Sequence, residues 1–195
     1  MRMTQSEYHT EVQQKIANSG HKWNRPEWLI LTDGSGHKDG YGGYAGIIFQ
    51  KSPRIGTPPL IAECAGGLKG TSTEQAEFLG LLFSLQQIVD YYVADQGLKS
   101  AEELLRRKLP VVHWVTDRES LALAVYKDSV THEPVYRRKS TPALWAMYSY
   151  FEPMLDVVPI FSTREGNLVH NQVDEIASDM RVIVKEHFDI REANS

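Results

Sequence analysis

The chain has 195 residues, 42% of them apolar, enough for one domain of ordinary size with a buried core and not the composition of a disordered chain. Its net charge of −4 and pI near 6.0 exclude a protein held on nucleic acid by overall charge, though not one that meets phosphates through a local basic patch and bound cations. Cys64 is the single cysteine, which excludes an internal disulfide and a thiolate metal cluster.

Residues 1–24 are polar and contain the loop signal Asn18-Ser19-Gly20. Tyr8, Val12 and Ile16 recur at helical spacing, so this segment reads as an appendage with a short helix ahead of a domain spanning residues 25–190, with 191–195 a tail. The N-terminus lacks the apolar stretch of a signal peptide, and no apolar run is long enough to cross a bilayer. A soluble cytoplasmic protein with no membrane association, and a monomer, is the expectation.

Trp28 to Asp33 reads as a buried strand stopped by Gly34-Ser35-Gly36, followed by strands at Tyr44–Phe49 and Pro59–Ala65 with Gly- and Pro-rich loops between them. Three short strands in a row predict an antiparallel meander. Thr73 opens a long helix with Ser72 or Thr71 as N-cap. Phe78, Leu79, Leu81, Leu82, Phe83 and Leu85 make it apolar nearly all round, which marks a helix covered on several sides. Ala76, Gly80 and Ser84 form a small-residue ridge that lets the helix lie close to a sheet, and Glu77 beside the ridge is carried to the sheet surface.

An amphipathic stretch, Ala101 to Arg107, leads to a strand ending in Asp117 (Val111-Val-His-Trp-Val-Thr-Asp117). Short helices at Ser120–Tyr126 and Pro142–Tyr150, a strand at Val157–Ser162 and a last helix from about His170 to Phe188 complete the order. The fold class is α/β: a mixed five-stranded sheet, three antiparallel strands then two more, flanked by helices.

Asp33 and Asp117 both end apolar strands, and both follow a threonine. Period-two alternation puts Asp33 on the face of Leu29 and Leu31, and Asp117 on the face of Val111, His113 and Val115. One strand-end aspartate often caps a turn. For two with matching flanks that capping reading becomes the weaker one, because a carboxylate ending an apolar strand is costly unless it is solvated or paired with a cation.

Thr32-Asp33-Gly34-Ser35 followed by Gly42-Gly43-Tyr44-Ala45-Gly46 resembles the opening of the ribonuclease H family. The segment Thr71 to Leu85, with Glu77 after alanine, is similar to that family's central helix. Val115-Thr-Asp117 resembles its fourth strand, and Asn171-Gln-Val-Asp174 its final helix. Trp145 also has a counterpart in many members. The resemblance covers roughly Leu29 to Val184 and implies a ribonuclease H-like fold with a catalytic, metal-binding quartet of Asp33, Glu77, Asp117 and Asp174.

That resemblance further implies two Mg²⁺ or Mn²⁺ ions about 4 Å apart flanking the scissile phosphate, with Asp33 bridging both. It implies hydrolysis of the RNA strand of an RNA–DNA hybrid, with Gly34, Ser35, Ser72, Thr73 and Glu74 contacting the substrate, whose 2′-hydroxyls report RNA.

The sequence departs from the family at Arg164, where many members carry a histidine that assists product release. His170, one helical turn before Asp174, either faces the same cleft as an auxiliary group or is a surface or capping histidine, which is the favoured reading. Glu74 stands where the family often has asparagine, which alters hybrid selectivity or simply complements the helix dipole. Among basic runs, Arg106-Arg107-Lys108 reads as a solvated face, and Arg137-Arg138-Lys139 as either that or a substrate grip. Trp114 and Trp145 read as core. Proofreading exonucleases carry Asp-x-Glu where Asp33 is followed by Gly-Ser, transposase-like enzymes end on a glutamate, and the glycine-rich motifs of actin-like ATPases are missing. The alternatives are a nuclease of this fold with another nucleic-acid substrate, and a non-cleaving module that binds nucleic acid or protein.

Overall fold

The computed structural model describes residues 27–50, 60–107, 110–125, 141–162 and 168–193. The expected N-terminal helix, the basic run at 137–139 and Arg164 lie outside them.

Strands β1 (Glu27–Gly36), β2 (Tyr41–Gln50) and β3 (Leu60–Lys69) form the expected antiparallel meander. Strands β4 (Val111–Thr116) and β5 (Asp156–Phe161) add in parallel, giving the order β3-β2-β1-β4-β5. Parallel neighbours require crossovers, and helices supply them. Helix α1 (Thr73–Asp95) and a 3₁₀ turn (Ala101–Arg106) lie between β3 and β4; α2 (Glu119–Val125) and α3 (Pro142–Phe151) lie between β4 and β5. The last helix, α4 (Leu168–Ala193), runs past the expected end at Phe188.

The sheet is covered on both faces. On one, Trp28, Ile30, Val112 and Trp114 meet Phe78, Leu81 and Leu85 of α1 and Trp145 of α3. Phe78 and Trp145 have ring centroids 4.5 Å apart. This accounts for the all-round apolarity of α1: it packs on β1, β2 and β3 below and on α3 beside it. Phe83 alone of the named apolar set is exposed, and it stacks on Tyr44 at 5.0 Å. The other face is smaller, with Leu29, Leu31, Ile47 and Val115 against Val173 and Ala177 of α4.

One expectation is corrected. Gly34-Ser35-Gly36 does not stop β1: these residues stay paired with Tyr44, Gly43 and Gly42. The glycines answer a packing demand instead of a turn. A Cβ on Gly34 would lie 2.2 Å from the Glu77 backbone nitrogen, and one on Gly36 2.5 Å from that of Thr73. The small-residue ridge of α1 sets the approach further along, where a Cβ on Gly80 would meet the Ala45 carbonyl oxygen at 2.7 Å. Gly34→Ala forces strand and helix apart, and we expect it to lower the free energy of unfolding by about 1–3 kcal/mol, as overpacking of a dense interior does. Urea denaturation measures this; an unchanged midpoint would refute the close-approach account.

Candidate metal centre

The chemistry-bearing residues gather where two parallel strands lie side by side and one of them, β4, ends. The β1–β4 register pairs Leu31 with Val115, so the Thr-Asp pairs that follow, Thr32-Asp33 and Thr116-Asp117, lie side by side where β4 ends, while β1 runs on to Gly36 paired with β2. Alternation divides each pair between faces. The aspartates continue the Leu29–Leu31 and Val115 side, and the threonines continue the Ile30 and Trp114 side, toward α1.

Helix α1 delivers the third acid. Ser72 caps it: its hydroxyl accepts from the Gln75 backbone N–H, and the Gln75 side chain accepts from the Ser72 backbone N–H at 2.9 Å. The tight contact of Gly34 with the helix backbone at Glu77 then places that side chain across the strand ends. Glu77 and Asp33 are both 0% exposed. Carboxylate oxygens of Asp33, Glu77 and Asp117 lie within 4.8 Å of one another.

The two oxygens of Glu77 differ. Oε1 accepts hydrogen bonds from Thr32 Oγ1 (2.9 Å) and Thr116 Oγ1 (2.7 Å). Oε2 is buried with no hydrogen-bond partner among the described residues. Burial is the largest cause pushing the Glu77 carboxyl well above its ordinary value of 4.5. The charge of Asp33 pushes the same way, the Thr116 hydroxyl opposes, Asp117 adds, and the Thr32 hydroxyl opposes again. Arg118 stands at the rim, its Nε 4.0 Å from Asp117 Oδ1. Three crowded carboxylates with a buried oxygen left over are an all-oxygen donor set of the kind that hard divalent cations take.

Asp174 stands outside the tight group of three. It is partly buried on α4, between Val173 and the turn that carries Ala177. Ser178, one turn on and on the same side of the helix, donates to Ser35 Oγ at 3.3 Å, so this side of α4 lies over the end of β1. His170 is 1% exposed, which overturns the surface reading: it shares the inward face of α4 with Val173 and Ala177. Among the expected substrate contacts, Gly34 is buried, Ser35 is half-buried, and Ser72, Thr73 and Glu74 open α1 beside Gly36. Trp114 and Trp145 are buried, as expected. Thr32, Thr116 and Arg118 had no role assigned from sequence. The repeated Thr-Asp pair was the available signal for the threonines, since alternation turns them toward α1.

No protein-family model matches the sequence, and no curated protein matches it. Among solved structures, the N-terminal RNase H domain of rv2228c from Mycobacterium tuberculosis, solved as a fusion with maltose-binding protein, superposes with a TM-score of 0.57 at 13% identity over 83% of this chain and 98% of that one. LC11-RNase H1, in complex with RNA/DNA hybrid, gives 0.54 at 16% identity over 80% of this chain and 98% of that one. RNase H1 from the halophilic archaeon Halobacterium salinarum NRC-1 gives 0.50 at 13% identity over 79% and 96%.

The chain has a ribonuclease H-like fold.

In this ribonuclease H-like domain the raised Glu77 has a consequence for stability. The folded, metal-free protein holds the Glu77 proton more tightly than the unfolded chain does. Stability is therefore full below the ordinary carboxyl range and falls as pH rises from there through the folded-state value. Glu77→Gln removes the titration, so in a chelator its melting temperature should exceed that of the wild type at pH 7–8 and fall less from pH 5 to 8. Equal pH slopes for the two proteins in differential scanning fluorimetry would show that Glu77 is not the titrating group.

Proposed function

We propose that this chain is a metal-dependent nuclease that hydrolyses the RNA strand of RNA–DNA hybrids. The observation that carries the reading is the group of Asp33 and Asp117 from two neighbouring parallel strands and Glu77 from α1, with one Glu77 oxygen buried and without a hydrogen-bond partner among the described residues. Asp174 on α4 is the fourth proposed ligand, and Mg²⁺ or Mn²⁺ are the proposed ions, two in number. When bound, such ions activate water and stabilise charge on the oxygens of the scissile phosphate.

The protein's own part is to hold the carboxylates in place and seat the strand. Asp33 is anchored through Oδ1, which accepts the Gly34 backbone N–H at 2.7 Å. Gly34 and Ser35 at the end of β1 and Ser72, Thr73 and Glu74 at the start of α1 form one polar margin, because Gly36 abuts Thr73. Hydroxyls and backbone groups along such a margin suit 2′-hydroxyls and sugar oxygens, the features by which hybrids and RNA helices are told from DNA. The hybrid-bound neighbour of the same fold supports this choice of substrate. Arg118 adds a cation beside the acids, where phosphate would approach.

The hybrid cleavage assay tests the reading. We expect end-labelled RNA in a hybrid to be cut in Mg²⁺ or Mn²⁺, with chelation or Asp33→Asn reducing the rate at least about a hundredfold, on the order of losing one preorganised charge-stabilising group. Intact hybrid, duplex RNA and single strands with either metal would leave a non-cleaving binding module. Equal cutting of duplex RNA or DNA would keep a nuclease of this fold and replace the substrate.

A further inference from the structure

Hydroxyl protons decide what Glu77 presents to the site. A threonine hydroxyl has one proton to donate and can accept as well. Trp114 Nε1, a donor only, gives its proton to Thr32 Oγ1 at 2.8 Å. The Thr32 proton is thereby directed onward, to Glu77 Oε1. The Arg118 backbone N–H likewise donates to Thr116 Oγ1 at 3.0 Å, directing the Thr116 proton to the same oxygen. Two relays, from two strands, converge on Oε1. None of the described residues donates to Oε2.

We infer that Thr32 and Thr116, with Trp114 behind Thr32, are positioning residues that saturate one oxygen of Glu77 and reserve the other for a divalent cation. The inference rests on the reading of Asp33, Glu77 and Asp117 as a cation site. It gives each Thr-Asp pair a double use: the aspartate faces the site directly, and the threonine aims the glutamate that arrives from the opposite layer. With both hydroxyls on Oε1, the carboxylate cannot rotate without breaking two buried hydrogen bonds, so it offers a single, fixed oxygen. Partners of this kind behind metal-binding side chains orient them, and their loss weakens metal binding or activity about 10–100-fold.

The test is isothermal titration of the full chain with Mn²⁺ alone. Wild type should bind Mn²⁺ in a manner lost in Asp33→Asn. Thr32→Val and Thr116→Val keep the shape and remove the hydroxyl, and each should weaken binding at least about tenfold. Thr32→Ser and Thr116→Ser keep the hydroxyl and should bind within a few-fold of wild type. In a Glu77→Gln background Thr116→Val should change the remaining affinity less than twofold, because the threonine acts through the glutamate. Asp33-dependent binding that survives both valine substitutions unchanged overturns the positioning role and leaves the cation site standing. Equal losses from Thr116→Val with and without Glu77 overturn it too. Absence of Asp33-dependent binding in wild type overturns site and inference together. Should the valine variants not fold, Trp114→Phe serves: it frees the Thr32 proton from its relay and should weaken Mn²⁺ binding several-fold, and unchanged affinity refutes the relay.

Discussion

A carboxylate wholly withdrawn from water is the constraint around which this molecule is arranged. Burying an ionised group costs several kcal/mol even after relaxation, unless hydrogen bonds and opposite charge compensate. Glu77 receives two hydroxyl protons on one oxygen, has no donor to the other among the described residues, and lies close to the charges of Asp33 and Asp117. The compensation among the described residues is thus one-sided. Local rules are satisfied through most of this fold and broken where the acids meet, the pattern expected where chemistry is performed.

Reaching that arrangement takes unusual closeness between layers. Glu77 sits on the helix covering one face of the sheet, while Asp33 and Asp117 point toward the other face. The helix backbone must therefore come against the strand end itself. Gly34, Gly36 and Gly80 make room for it, each where a Cβ would strike backbone. The parallel pairing of β1 and β4 does the rest, since it sets Thr32-Asp33 beside the C-terminal end of β4. Had β4 run the opposite way beside β1, its Thr-Asp pair would lie toward the other end of β1, away from Thr32-Asp33. Open α/β sheets gather ligands at carboxyl ends of strands for this reason.

Legibility in the sequence followed how local each cause was. Asp33 and Asp117 stood out because a charge after an apolar run breaks the pattern at once. The Ala76-Gly80-Ser84 ridge announced a close helix–sheet contact, and such a contact is there. Gly34 and Gly36 misled, because glycine marks a turn and a close approach with the same letter; only the partner, the backbone of α1, tells them apart. His170 misled for a related reason. A polar residue near a helix start reads as exposed, yet α4 turns it inward with Val173 and Ala177. Trp114 read correctly as core, but its indole N–H carries a second duty visible only beside Thr32.

By itself the sequence determined the kinds and order of the elements, the faces of the strands on which the aspartates lie, and the resemblance that groups four acids. These depend on periodicity and on residues a few positions apart. Tertiary structure alone decided that three of the carboxylates come within 4.8 Å, with Asp174 outside that group, and that among the described residues Glu77 has one occupied oxygen and one spare. The deciding hydrogen bonds join residues 39, 45 and 82 positions apart. No local pattern encodes such pairings; they exist only once parallel pairing has set the two Thr-Asp pairs side by side and a glycine has let the helix down onto them.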